Sequence, residues 1–213
     1  MSIVLFDLDG TLIDTIEDLG EAVNHALKVH SLPLHSITEY RKMVGHGIRN
    51  LVWQALPADL KTDEALLDEC LADFKSWYSA HIDVHTHPYE GIPELISELG
   101  TAGVKLAVVS NKFQEGTEHL IRRFFPEALF EAVLGNREGY PLKPDPEIVQ
   151  EVLQTAGENK SGAVMVGDSP TDMKTAENGG IRGIAVTWGY RNQEELSAWE
   201  TVNTVASLRE KLL

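Results

Sequence analysis

The chain carries a single cysteine, Cys70, among 213 residues. One thiol excludes an intramolecular disulfide, and with it the small stapled domains, and it fits a reducing compartment. No apolar stretch approaches the roughly 20 residues needed to cross a bilayer. The first residues lack the basic-then-apolar layout of a signal peptide. Cations are scarce: 18 Lys and Arg against 33 Asp and Glu give a formal net charge of −15. With a pI near 4.9, the chain as a whole repels nucleic acid and anionic membranes. A small anionic metabolite stays allowed, because a pocket within an acidic protein can be locally cationic. Internal repeats and low-complexity segments are absent. The expectation is a soluble, cytoplasmic protein.

What is present begins with an apolar run that ends in acids: Ile3-Val4-Leu5-Phe6, then Asp7-Leu8-Asp9-Gly10-Thr11. A β-branched and aromatic run closed by a glycine reads as a buried, parallel-type strand. Ligands of open α/β sheets bind beyond the carboxyl ends of their strands, which is where Asp7 and Asp9 fall. Further strand-like runs lie at 104–110, 162–167 and 183–187, with a weaker one at 132–135. Helical patterns at 93–99, 115–125, 145–155 and 170–178 separate most of them, and a last one falls at 207–213. Strand alternating with helix predicts a parallel sheet with right-handed crossovers.

Residues 14–83 break that rhythm. Ile16, Leu19, Val23, Ala26 and Leu27 share one helical face, and 48–56 and 66–78 repeat the pattern without a convincing strand. The predicted architecture is α/β: a Rossmann-like core from 1–13 and 84–213, interrupted by an α-helical cap over 14–83. Trp53, Trp77 and Tyr78 read as residues of the cap's own core or of its contact with the Rossmann-like core, and Cys70 as a packing residue.

Three more segments place polar chemistry just past a strand. These are Ser110-Asn111-Lys112, Leu142-Lys143-Pro144-Asp145-Pro146 and Val166-Gly167-Asp168-Ser169-Pro170-Thr171-Asp172. Taken singly, most have a structural explanation. Asp145 reads as a helix N-cap with Pro146 at the first helical position, and Ser169 with Asp172 forms a capping-box pattern around Pro170. Asp168 has no such role, since it precedes the cap. Acids, hydroxyl, lysine and acids in that order, each after a strand, converge on one sheet edge. Carboxylates without His or Cys partners favour Mg²⁺ over Zn²⁺.

Within the insertion, Gly45-His46-Gly47-Ile48-Arg49 sets two glycines ahead of a helix, where backbone N–H groups can approach an anion. Arg49 there offers a fork to a carboxylate. His81, His85 and His87 match no zinc spacing and read as surface or hinge residues.

The four segments together resemble the four motifs of haloacid dehalogenase superfamily hydrolases with a helical cap, and the resemblance covers essentially the whole chain. It implies that Asp7 is the nucleophile that forms an aspartyl-phosphate. Asp9 protonates the leaving oxygen and then deprotonates water. Ser110 and Lys143 hold and neutralise the phosphate, with Thr11 and Asn111 also at the substrate. Mg²⁺ would be bound by the Asp7 carboxylate, the Asp9 backbone carbonyl and Asp168, while Asp172 acts through a water or orients Lys143. An acid two residues after the nucleophile separates the family's phosphatases from its dehalogenases. The stretches at 44–49, 87–91 and 187–191 are similar to phosphoglycolate phosphatases. That likeness implies 2-phosphoglycolate as substrate, met by His46, Gly47 and Arg49. A pyrophosphatase, a sugar-phosphate mutase of the same superfamily and a non-catalytic regulator that binds phosphorylated ligands remain as alternatives.

Overall fold

A computed structural model describes residues 1–213. From the N-terminus, β1 (Ile3–Phe6) and β2 (Ile13–Asp14) lead into the helices α1 (Ile16–Val29), α2 (Ile37–Met43), α3 (Ile48–Ala55) and α4 (Glu64–His81). The chain continues through β3 (His87–Pro88), α5 (Ile92–Thr101), β4 (Lys105–Phe113), α6 (Gln114–Phe124), β5 (Phe130–Asn136) and α7 (Glu147–Ala156). It ends with β6 (Ala163–Gly167), α8 (Pro170–Gly179), β7 (Arg182–Val186), α9 (Gln193–Leu196), β8 (Thr201–Val202) and α10 (Val205–Leu212). Two compact units result, one of Met1–Asp14 with Pro88–Leu213 and one of Thr15–His87.

In the first unit six strands form one sheet in the order β5-β4-β1-β6-β7-β8, and every neighbouring pair is parallel. All four residues of β1 are buried, as a central strand covered on both faces requires. Ile3 and Leu5 point to one face, where Ala107, Val109, Met165 and the apolar stripe Ile148, Val149, Val152 and Leu153 of α7 complete a core cluster. Truncating such a side chain to alanine costs about 2–5 kcal/mol. The strand order, not the strand direction, reverses at β1, which lies between β4 and β6. The loops leaving these three strands therefore open onto one crevice at their carboxyl ends.

The β4 strand runs further than the apolar pattern predicts. Its pairing with β5 shifts register between Val109 and Phe113, so Ser110, Asn111 and Lys112 leave the regular ladder. Such irregularities re-aim side chains at the rim of a sheet. Two local expectations are corrected. The helix after Lys143 starts at Glu147 with Pro146 as its N-cap, one residue later than predicted, and the Asp145 carboxylate instead accepts from the Glu147 N–H at 2.9 Å. Trp53 is 38% exposed rather than packed; its indole N–H donates to the Lys61 carbonyl at 3.0 Å.

In the helical unit, α1 and α4 pack together, and Val23 and Leu27 of α1 and Phe74 and Tyr78 of α4 are buried. Cys70 is buried and free, consistent with a packing role. Gly20 permits close approach of α2, since a Cβ there would stand 2.7 Å from both Ile37 and Tyr40. The Tyr40 hydroxyl, deep in this unit, donates to Asn24 Oδ1 at 2.7 Å. Asp18 is buried and accepts from the backbone N–H of His85 and Thr86 and from the Thr86 hydroxyl at 2.7–3.0 Å. Those bonds tie 85–86 to α1, so this unit extends to His87. His81 stacks on Trp77 with ring centroids 3.9 Å apart, and His87 bonds the His85 carbonyl at 2.8 Å. No helix is long and apolar enough to cross a membrane.

Candidate active site

The site is built at the exits of β1, β4 and β6 and in the connection after β5. Asp7 follows β1 and is positioned by its own N–H, which donates to the Val166 carbonyl of β6 at 2.9 Å. Asp168 follows β6, and Asp172 lies in the first turn of α8. One oxygen from each of Asp7, Asp168 and Asp172 falls within 4.8 Å of the others, all three residues being buried.

Lys143 enters this cluster from the connection between β5 and α7. Its Nζ donates to Asp7 Oδ1 and Asp172 Oδ1, both at 2.7 Å, and to the Val109 carbonyl at 2.8 Å. Three acceptors satisfy the three donors of a buried ammonium. Asp172 serves two purposes at once. Its Oδ2 accepts from the Ser169 hydroxyl at 2.6 Å in a capping box, while Oδ1 holds the lysine.

Asn111 fixes the backbone of Lys143. Its amide accepts from the Lys143 N–H at 2.8 Å and donates to the Lys143 carbonyl at 3.1 Å. The resemblance places Asn111 at the substrate, and both its amide oxygen and nitrogen also contact Lys143. Ser110 is buried beside it, and its Oγ accepts from the Lys112 N–H at 3.1 Å. Thr11 directs its hydroxyl at Asp7 Oδ2 across 3.4 Å.

Lys112, which has no role in the four motifs, is also buried. Its Nζ lies 3.1 and 3.4 Å from the two carboxylate oxygens of Asp9. A lysine directly after the Ser110-Asn111 pair was the available signal.

Burial is the main reason that the Asp7 carboxyl titrates well above the ordinary aspartate range; the negative charge of Asp172 adds to this, and Lys143 opposes it. Burial and then Asp172 likewise push Asp168 up to about 7, against the backbone N–H of Tyr190. Burial disfavours the Lys143 ammonium, yet Asp172 and Asp7 outweigh it and raise its pKa. Asp7, Asp9, Asp168 and Asp172 outnumber the nearby cations Lys112, Lys143 and Arg191, a formal excess of negative charge. A divalent cation at the Asp7–Asp168–Asp172 cluster would offset that excess. The donors are all oxygens, the set preferred by hard cations, so the residues present fit such an ion.

The predicted residues Gly45, His46, Gly47 and Arg49 belong to the helical unit. Gly45 and Gly47 adopt φ values of 117° and 80°, which favour glycine, and Gly47 is the N-cap of α3. His46 is exposed. The Arg49 guanidinium is exposed too, and it pairs with Glu64 Oε2 at 2.5 Å and with Asp68. Neither acid partner was anticipated from the sequence.

A parallel α/β sheet with acids, a hydroxyl and a lysine at its carboxyl edge defines a class of hydrolase, and comparison with known proteins gives its family. The family model described as haloacid dehalogenase-like hydrolase matches residues 4–186. The chain belongs to that family, which bears out the resemblance drawn from the four motifs. It is 37% identical over 192 residues to the phosphoglycolate phosphatase of Mesorhizobium japonicum, covering 90% of this chain and 85% of that one. It is 36% identical over 195 residues to the phosphoglycolate phosphatase of Caulobacter vibrioides, covering 89% and 81%. A solved structure from Lactobacillus delbrueckii subsp. bulgaricus superposes with a TM-score of 0.93 at 30% identity, covering 100% of this chain and 98% of the other.

Proposed function

We propose that the protein is a Mg²⁺-dependent phosphatase that hydrolyses 2-phosphoglycolate through an aspartyl-phosphate. The observation that carries this reading is Lys143 Nζ held between Asp7 and Asp172 at 2.7 Å from each, beside a third buried acid, Asp168. The relatives named phosphoglycolate phosphatase supply the substrate.

In the first half-reaction, an oxygen of Asp7 attacks phosphorus as the bond to the leaving oxygen breaks, and Asp9 gives that oxygen a proton. In the second, Asp9 takes a proton from water, which attacks the phosphoryl group and frees Asp7. Splitting one displacement into two is the gain of covalent catalysis, and positioned proton transfer contributes about 10²–10⁴-fold. Lys112 sets the orientation of Asp9 through both carboxylate oxygens. Lys143 offsets the repulsion between Asp7 and the incoming phosphate, and Ser110 and Thr11 offer hydroxyls to its oxygens. Asn111 contributes by anchoring Lys143. Asp7, Asp168 and the Asp9 backbone carbonyl would hold Mg²⁺, with Asp172 in support. When bound, the ion supplies Lewis-acid stabilisation of charge on the phosphoryl oxygens. Recognition of the substrate carboxylate is assigned to Arg49, with His46 and Gly47. Residues 15–87 are read as the cap of the enzyme.

The test is phosphate release with Mg²⁺ from 2-phosphoglycolate, pyrophosphate, hexose phosphates and a nucleoside monophosphate, compared as kcat/KM. A clear preference for 2-phosphoglycolate is expected. Activity centred on pyrophosphate, isomerisation of a sugar phosphate with little phosphate release, or ligand binding without turnover would each replace this reading with the corresponding alternative.

A further inference from the structure

The segment after β7 makes contacts that the chemistry above leaves unused. β7 runs beside β6, with Ala185 level with Gly167, so its exit arrives next to Asp168. There the backbone N–H of Tyr190 donates to Asp168 Oδ2 at 2.6 Å. Two residues earlier, the Trp188 indole N–H donates to the Thr11 carbonyl at 3.1 Å. The Tyr190 hydroxyl donates to Asp14 Oδ1 at 3.2 Å. Trp188 and Tyr190 thus grip Asp168 on one side and, on the other, the turn after Asp9 and the end of β2.

Gly189 lies between these grips. A Cβ at that position would stand 2.3 Å from Asp168 Oδ2 and 2.3 Å from the Gly10 carbonyl. Gly10 faces the same carboxylate, with φ +91° and only 2.5 Å from a would-be Cβ to Asp168 Oδ2. Two glycines therefore let two backbones close on one acid. The obstacle at Gly189 includes backbone and a buried carboxylate, so an added methyl cannot be absorbed by a flexible side-chain end.

We propose that Trp188-Gly189-Tyr190 is a positioning clamp that holds Asp168 and the turn after β1 in mutual register, and thereby sets the affinity of the site for its divalent cation. With Oδ2 held by the Tyr190 N–H at 2.6 Å, the carboxylate cannot turn freely within the acid cluster. Groups that orient metal-ligating carboxylates in this way govern affinity without touching the ion. The inference rests on the reading of Asp7, Asp168 and Asp172 as a Mg²⁺ site. None of the three clamp residues is a catalytic group.

The experiment is calorimetric titration of Mg²⁺ into metal-free protein, with a melting curve recorded for each variant. Gly189→Ala is expected to bind Mg²⁺ about 10- to 100-fold more weakly while staying folded. Trp188→Phe removes one hydrogen bond and little volume, and is expected to lose about 2- to 10-fold. Gly100→Ala, where a Cβ meets nothing within 4 Å, is expected to match wild type. Folded Gly189→Ala and Trp188→Phe proteins with wild-type affinity would overturn the clamp and leave the Mg²⁺ site standing. If Gly189→Ala does not fold, Trp188→Phe decides alone, and unchanged affinity overturns the clamp. Wild-type protein that takes up no Mg²⁺ would remove the metal-site reading itself, and the clamp with it.

Discussion

Lys143 and Asp172 meet at 2.7 Å, and Asp172 reaches the lysine while its second oxygen closes the N-terminus of α8. One carboxylate thus joins a structural cap to a candidate catalytic cation. The pair lies fully inside the protein, where an ion pair adds little net stability but losing one partner is severe. Lys143→Met leaves Asp7, Asp168 and Asp172 with no cation among them. The metal-free variant should lose about 3–5 kcal/mol of stability, most at high pH and less on acidification, as the acids take up protons. Urea unfolding of wild type and variant at several pH values checks this, and saturating Mg²⁺ should return part of the loss.

The proposed nucleophilic role of Asp7 has a direct test. Asp7→Asn keeps the shape of the side chain and removes its charge, so the fold should persist while turnover falls by roughly 10⁴-fold or more. Mass spectrometry of acid-quenched reactions gives an independent reading. Wild type should carry one added phosphoryl group on the peptide containing Asp7, and the variant none. Normal turnover in a folded Asp7→Asn protein would remove Asp7 from that role.

Much of this site was legible in the sequence because strand ends are. Asp7 and Asp168 each follow a short β-branched run bounded by glycine, and both β1 and β6 formed where those runs lie. Lys143 needed the company of the other motifs, since nothing in its own neighbourhood separates a buried lysine from a surface one. The β4 irregularity was hidden, because it depends on pairing with β5, and with it went the burial of Lys112 and the turn of Asn111 onto Lys143. The Tyr190 contact to Asp168 is made by a backbone N–H, which no residue type reveals. In the helical unit, α2 was missed: its seven residues are too short for a clear period, although Ser36 and Glu39 spell a capping box. The ion pairs of Arg49 join α3 to α4 and needed the tertiary fold to appear.

Charge crowding predicts a pH effect on stability in the absence of metal. Asp168 titrates at about 7 in the folded protein, against roughly 4 in an unfolded chain. The folded state then binds more protons between these values, so stability falls as pH rises through that window and the full penalty is present above it. Asp168→Asn removes the penalty and can still accept the Tyr190 N–H. In EDTA above about pH 8 the variant should melt higher than wild type, by about 2–4 °C for each kcal/mol relieved. The difference should vanish below about pH 4, where both states are protonated. With Mg²⁺ the order should reverse, because only wild type gains the full binding energy of the ion. A variant that melts with wild type at every pH would show that Asp168 carries no such strain.

Arg49 provides the sharpest test of substrate choice. Its guanidinium is held by Glu64 and Asp68 at the surface of the helical unit. Exposed ion pairs of this kind contribute little to stability, so a substrate carboxylate can replace an acid partner at small cost. Arg49→Ala should therefore leave the melting temperature near that of wild type. It should lower kcat/KM for 2-phosphoglycolate by roughly 10–100-fold, the loss of a charged hydrogen-bonded fork. For an aryl phosphate without a carboxylate, the change should stay within about threefold, since no such bond is lost. Equal losses on both substrates would mean that Arg49 supports the helical unit and reads nothing, and the carboxylate would then have to be recognised from another residue.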